Sequence, residues 1–305
     1  MQTGSFDPLA SQADMVALIS EVTGAPAVKV NMRLEKERGG IGSSVKSAFN
    51  KAVRDHGAKR FVYNEAMERF YENTDSFLYE LAVWNLNGLK QEMGAWCCDW
   101  ITRTLGPSKV LSIGDGLGFE CLRVAEAGHD VTYFEVPGYS AEFAKLLFAR
   151  KGADVRQLTD PEKIPGRTYD VIVCLDVLEH ISDPPTFVEM LKGYLKPGGV
   201  FIVHAPFYMI HPNYPTHVAE SRRFSGDMKL YTDAGFRVLG GRPLWNPIVL
   251  QAPGGEKISS SVLGKFRLMM GKPYLMAGRK SVKPFRMIHS IKRKHQHWFG
   301  DESGF

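Results

Sequence analysis

An apolar strand running straight into three closely spaced glycines, Lys109-Val-Leu-Ser-Ile-Gly114-Asp115-Gly116-Leu117-Gly118, constrains this chain more than any other feature. The run Val110 to Ile113 has the composition of a buried strand, and the glycines ending it lack the Cβ that would hold a bulky ligand off the main chain. A helix starting near Phe119 aims its first N–H groups at the same space. Strand, glycine turn and helix in that order predict a nucleotide-type cofactor loop.

The segments that follow keep alternating. A helix over Phe119 to Ala127 and a turn at Gly128-His129 lead to a strand over Asp130 to Phe134. Glu135 then stands roughly 20 residues beyond the loop, where such folds bind ribose hydroxyls through a carboxylate. A helix (Ala141 to Lys151) and two strands (Asp154 to Leu158, Tyr169 to Leu175) come next, and the second strand ends in Asp176-Val-Leu-Glu179-His180. A helix over Val188 to Tyr194 passes through Leu195-Lys-Pro-Gly-Gly199 into a strand over Val200 to His204. Such alternation predicts a parallel sheet with helices on both faces.

The strand, the Asp/Glu-x-x-Glu-His sequence and the Leu-x-Pro-Gly-Gly turn together resemble a large group of class I S-adenosylmethionine-dependent methyltransferases. The resemblance spans residues 105–252. It implies an α/β Rossmann-like fold, a seven-stranded mostly parallel sheet whose last two strands, from Gly235-Phe236 to Leu239 and from Trp245 to Gln251, form an antiparallel edge. The loop is preferred as a methyltransferase's over a dinucleotide-binding one, whose third glycine would follow the second by three residues, not two. By the same resemblance, Gly114, Asp115, Gly116 and Gly118 hold the amino-acid end of S-adenosylmethionine. Glu135 takes the ribose, Val136 packs on adenine, Asp160 accepts from the adenine amine or caps its own turn, and Asp176 faces the reaction centre.

Methyl transfer needs an acceptor aligned with the sulfonium methyl and often a base for its proton. Two histidines are catalytic candidates. His180 reads as a structural histidine or a base, and His217, beside Val218 on a loop rich in proline and histidine, reads as a base for a hydroxyl or as a loop anchor. An O-methyltransferase acting on a small molecule or glycan is the expected function. Some hydroxyl-methylating relatives use a Glu-x-x-Glu-His set with a further histidine to hold a divalent ion. The equivalent set here is Asp176, Glu179 and His180, completed by His204, His211 or His217, and the metal-free route is preferred to it. A different class of reading is a non-catalytic cofactor-fold scaffold that docks to an anionic membrane or partner.

With 305 residues, 44% of them apolar, the chain is long enough for one large core with additions. Residues 1–104 read as a helical N-terminal cap, residues 105–252 as the cofactor core and residues 253–305 as a linker with a basic C-terminal extension. The cap helices are expected after Asp7-Pro8, over Ser43 to His56, over Asn64 to Tyr71, and from Thr74-Asp75-Ser76 through a break at Gly88 to Ile101. No apolar run is long enough to span a membrane and no leader precedes the first helix, so a cytoplasmic location is expected, with attachment to the inner face of a membrane as the alternative. Cys97, Cys98, Cys121 and Cys174 have no metal-ligand spacing and read as core residues.

The net charge of +5 conceals an asymmetry. Lys257 through Gly300 carries eleven Lys/Arg and no Asp/Glu, which leaves 27 against 33 elsewhere. That extension suits acidic lipid headgroups or a phosphorylated acceptor; nucleic acid ranks last, because no RNA-binding module accompanies it.

Overall fold

The computed structural model describes residues 6–280. The part of the predicted basic extension beyond residue 280 lies outside the described residues.

Six helices precede the sheet: α1 (Gln12–Thr23), α2 (Ala27–Arg38), α3 (Ser43–His56), α4 (Glu65–Asn73), α5 (Ser76–Asn85) and α6 (Gly88–Leu105). Their ends follow capping chemistry. The Ser11 and Asn64 side chains accept from Asp14 and Met67 N–H groups, and Gly24 and Gly57 close α1 and α3 in the left-handed region. The start of α3 is held differently: the fully buried Glu37 of α2 accepts from the Ser43 and Ser44 N–H groups and the Ser43 hydroxyl, supplying negative charge to a helix N-terminus that has no side-chain cap of its own.

Then come β1 (Lys109–Ile113), α7 (Phe119–Glu126), β2 (Asp130–Phe134), α8 (Tyr139–Lys151), β3 (Val155–Leu158), β4 (Tyr169–Leu175), α9 (Pro184–Tyr194), β5 (Leu195–His204), α10 (Lys229–Thr232), β6 (Arg237–Gly241), β7 (Ile248–Gln251) and α11 (Val262–Ala277). One sheet holds all seven strands in the order β3-β2-β1-β4-β5-β7-β6. The first five strands run parallel, and β7 pairs antiparallel with both β5 and β6. This is the expected doubly wound sheet with its antiparallel edge.

Strand alternation divides the core between two faces. Val171, Val173 and Leu175 of β4 join one cluster with Val110, Val131, Met93, Leu78 and Met15. Ile172 and Cys174 join the other, with Leu111, Phe201, Leu191 and Leu268. The cap thus shares a continuous core with the sheet: α1 packs on α8, and α5 packs on both α8 and α6. Only Val45, Phe49, Ala58, Met67 and Phe70, from α3, α4 and the turn between them, form a separate small cluster.

Three readings from sequence change. Helix α2 was not expected; it opens after Pro26 and buries Val30 and Leu34 at a spacing of four, while Val28 and Met32 point to solvent, so its apolar residues mark no single face. The segment Ser225 to Ala234, whose pattern reads as one helix, holds only the short α10, because Gly226 takes a φ of 68° and breaks it. Most consequentially, residues 262–277, read as part of the linker and basic extension, form a packed helix. Helix α11 buries Gly264, Leu268, Gly271 and Leu275 against β6 and the turn at Trp245, and Trp245 Nε1 donates to the Leu268 carbonyl at 2.9 Å.

Gly118 ties the cofactor loop to the core. At a φ of 84°, a Cβ built there lies 2.6 Å from Phe148 Cζ and 3.0 Å from Ala144 Cβ. Gly118→Ala combines left-handed strain with overpacking and is expected to destabilise the fold by about 2–3 kcal/mol, read from denaturant midpoints at unchanged slope.

Candidate active site

The carboxyl ends of β1, β2 and β4 open onto one cavity of about 350 Å³, floored by Gly114, Gly116, Glu135 and Asp176 and roofed by Tyr63, Tyr71, Phe77 and Leu81. Ligands of open α/β sheets bind at this edge. Four carboxylates, those of Glu68, Glu72, Glu135 and Asp176, line it, and among its lining residues there is no Lys or Arg. A field of that sign suits a cationic ligand.

The loop is locked around Glu135. Its Oε2 accepts from the Gly116 N–H at 2.8 Å and its Oε1 from the Val136 N–H at 3.0 Å, while the Tyr133 hydroxyl donates to the Gly116 carbonyl at 2.6 Å. Burial pushes the Glu135 carboxyl up to about 7 against those two backbone bonds. Gly116 has a φ of 67°, and a Cβ there would meet Leu81 Cδ1 at 2.7 Å, so the roof closes directly onto bare main chain.

Several sequence-predicted cofactor residues sit where expected and several do not. Gly114, Gly116, Glu135, Val136 and Asp176 line the cavity. Asp115 does not; it turns inward, 7% exposed, and accepts from the Glu120 and Cys121 N–H groups at 3.3 and 2.8 Å, so its work is to fix the first turn of α7. Gly118 faces Phe148 rather than the cavity. Asp160 lies off the cavity and caps the turn Pro161–Lys163, accepting from the Glu162 N–H at 3.0 Å.

Asp176 stands just beyond β4 at a φ of 63°, a conformation strained for any residue with a side chain and one that clusters at functional sites. His204 Nδ1 lies 2.6 Å from its Oδ1, and Trp84 Nε1 and Lys90 Nζ donate to its Oδ2 at 3.0 and 3.2 Å. Burial opposes its charge, but Lys90 and His204 outweigh burial and hold the carboxyl well below the ordinary range. Lys90, 5% exposed, also meets Glu120 Oε1 at 2.9 Å. Burial disfavours its ammonium, yet the two carboxylates keep it charged beyond the ordinary lysine range. Lys90 is not among the residues the sequence singled out. Lys90 was legible, because it precedes Met93, Cys97 and Ile101 at helical spacing on the buried stripe of α6.

On the other side of the cavity, His180 reaches the wall and His217 stands behind it. The Tyr71 hydroxyl lies 2.8 Å from His180 Nδ1, and the His217 ring meets His180 edge-on with centroids 4.6 Å apart. Burial lowers His180 to about 4, and burial with the neighbouring His180 lowers His217 well below its usual value, so both rings are neutral near pH 7. Neutral imidazoles suit proton acceptance and metal ligation alike. Placed off the cavity wall, His217 is not positioned to touch an acceptor itself.

Glu179, His180 and His217 offer ligand atoms that all lie within 4.8 Å of one another. Glu179 Oε2 and His217 Nδ1 are buried without a hydrogen-bond partner, and burial, reinforced by Asp176, raises the Glu179 carboxyl well above its usual value. Orphaned acceptors at this spacing fit a divalent cation. The set differs from the sequence-predicted one. Both Asp176 oxygens are taken by His204, Trp84 and Lys90, His204 is taken by Asp176, and His211 Nδ1 accepts from the Asn213 N–H at 3.2 Å, which leaves His217 as the third member. The four cysteines are free and buried, as a packing role requires; burial raises the Cys97, Cys121 and Cys174 thiols and keeps them unreactive.

The family described as "Methyltransferase domain" matches residues 89–235. Over 108 residues the chain is 34% identical to a ubiquinone biosynthesis O-methyltransferase of Pseudomonas aeruginosa (strain UCBPP-PA14), a match covering 33% of this chain and 46% of that protein. The enzyme of the same description from Bordetella avium is 32% identical over 108 residues, covering 33% and 45%. The chain therefore spans less than half the length of these curated relatives. Among solved structures, the N-methyltransferase NodS from Bradyrhizobium japonicum with S-adenosyl-L-homocysteine superposes at a TM-score of 0.44 and 17% identity, over 62% of this chain and 97% of that one. Residues 89–235 of this chain are thus similar to the methyltransferase-domain family, and they carry the glycine loop, the acidic residue after β2 and the parallel strands of the seven-stranded sheet.

Proposed function

We propose that the chain transfers a methyl group from S-adenosylmethionine to a hydroxyl of a neutral acceptor held under the α4–α5 roof. One observation carries this reading: a single cavity joins the donor end, Gly114, Gly116 and Glu135, to a proton-accepting end, Tyr71 and His180. Glu135 accepts the ribose hydroxyls, Val136 supports the adenine, and the acidic lining offsets the sulfonium charge. The relatives named O-methyltransferase support oxygen as the acceptor atom. The absence of cations among the cavity's lining residues argues against a phosphorylated acceptor at this site.

A half-buried, neutral His180 accepts the acceptor's proton as the methyl bond forms, with Tyr71 fixing the ring orientation. Tyr71→Phe is expected to lower kcat by about 10–100-fold with little change in cofactor affinity, in turnover assays against a hydroxyl-compound library followed by mass shift. An unchanged kcat removes Tyr71 from the reaction, and a library in which only amines or thiols gain mass removes oxygen as the acceptor.

The unpartnered Glu179 Oε2 and His217 Nδ1 favour a second reading, in which a divalent cation bound by Glu179, His180 and His217 supplies Lewis acidity to the acceptor hydroxyl. Dialysis against a chelator separates the two. Turnover that survives complete metal removal eliminates the cation, while turnover lost and then restored by a divalent ion establishes it.

A further inference from the structure

Helix α11 is apolar on two opposite faces. One face, Gly264, Leu268, Gly271 and Leu275, is buried against the sheet edge. The other carries Val262, Leu263, Phe266, Met269 and Met270, which are 52–84% exposed. Lys265 and Lys272 fall along one flank of that outer face and Arg267 along the other, at helical spacing. Scattered surface apolar residues need no explanation, but five large ones on one helical stripe form a patch.

The helix is held rigidly while it presents this patch. The Ser225 hydroxyl donates to the Leu275 carbonyl at 2.6 Å, Arg222 Nε to the Gly278 carbonyl at 2.9 Å, and Arg279 Nε to the Ser225 carbonyl at 2.7 Å. Gly264 packs against the main chain of Gly240 and Gly241. The outer stripe is therefore not waiting to fold inward, since the inward face is already taken.

We propose that the outer face of α11 docks on an anionic lipid surface. Charge selects this partner. Lys265, Arg267 and Lys272 flank the patch on the helix, Lys257 and Lys280 lie just beyond its ends, and no acidic residue occurs from Lys257 to Gly300. A protein interface of this size would be expected to show charges of both signs at its rim, whereas phosphate headgroups need cations alone. Phe, Leu and Met side chains seat at the headgroup–acyl boundary while Lys and Arg stems reach up to the phosphates, which is the arrangement of a helix lying in the interface plane. No described helix is long and apolar enough to cross a membrane, so α11 lies along the surface and does not span it.

The test is co-sedimentation of the full chain with vesicles of phosphatidylcholine alone and of phosphatidylcholine with about one third phosphatidylglycerol. Binding is expected only to the anionic vesicles and to weaken as salt is raised from about 0.1 M to about 1 M. Phe266→Ser with Met270→Ser, and separately Lys265→Gln with Lys272→Gln, are each expected to lower partitioning by about tenfold or more while leaving the thermal unfolding transition in place. The changed residues are solvent-facing, so their loss does not disturb packing. Absence of sedimentation with either vesicle overturns the proposal. So does binding that both variants leave unchanged, which would assign it to residues beyond 280, or a concentration-dependent dimer abolished by Phe266→Ser with Met270→Ser, which would give the face to a second copy.

Discussion

Replacing Glu135 by alanine is expected to raise the dissociation constant for S-adenosylmethionine by about 10²–10⁴-fold, because two hydrogen bonds to a charged acceptor, each contributing about 1.5–3 kcal/mol, are lost together. The loss has a second component in this protein. Glu135 Oε2 also holds the Gly116 N–H, so the variant releases the turn that must lie flat against the ligand. Isothermal titration on a variant with an unaltered unfolding transition measures the effect, and a dissociation constant within threefold of wild type would dismiss the ribose assignment. The same carboxylate predicts a pH dependence. Burial places it at about 7 in the free protein, and the ionised form is the one that accepts two hydroxyl donors. Affinity is therefore full above that value and declines as pH falls through it, by about tenfold between pH 8 and pH 6. The direction is opposite to that expected if cofactor binding depended on a protonated carboxyl.

Lys90→Ala is expected to cost about 3–5 kcal/mol of folding stability, the range for removing one partner of a buried ion pair. The ammonium sits between Glu120 and Asp176, and without it two carboxylates share a site from which water is largely excluded. For a chain of this size the loss corresponds to roughly 5–8 °C in Tm. Lys90→Ala combined with Glu120→Gln is expected to recover part of it, since one of the stranded charges is then gone. A melting temperature within 2 °C of wild type for the single variant would mean that water or rearrangement replaces the lysine.

The loop, the acidic residue after β2 and the alternating elements were legible because each carries its own local signal: glycine where main chain must be approached, a carboxylate at a fixed distance, and apolar runs of strand length. Strand β4 was readable to the residue for that reason. The helical cap was readable as helices but not as architecture. That α1 would leave the roof and pack beside α8 depends on contacts 120 to 140 residues apart, which no local pattern encodes. The site divided in the same way. Asp176, Glu179 and His180 are adjacent in sequence and were taken as one ligand set, yet a turn of 3-10 helix over Leu178–His180 sends Glu179 and His180 toward His217 while Asp176 goes to Lys90 and His204. Spacing identified the group, and backbone geometry split it. Helix α11 was not legible for a different reason: glycine is a poor helix former, yet Gly264 and Gly271 are the points where the helix lies directly on the sheet edge and on Leu244.

The division of the apolar interior into two large clusters and one small one sets how the cavity exchanges its contents. Its floor belongs to the sheet, so it opens only when the whole domain unfolds. The α4 side of its ceiling, through Met67 and Phe70, is anchored to the five-residue cluster and to the pairing of Phe61 with Pro215 and Ala219, while the α5 side belongs to the main core. Lifting the α4 side requires separating a handful of side chains and a few hydrogen bonds, a subglobal opening far cheaper than global unfolding. Whatever the cavity holds can thus depart many times within the lifetime of one folded molecule, through the side built from the helices that come before the sheet.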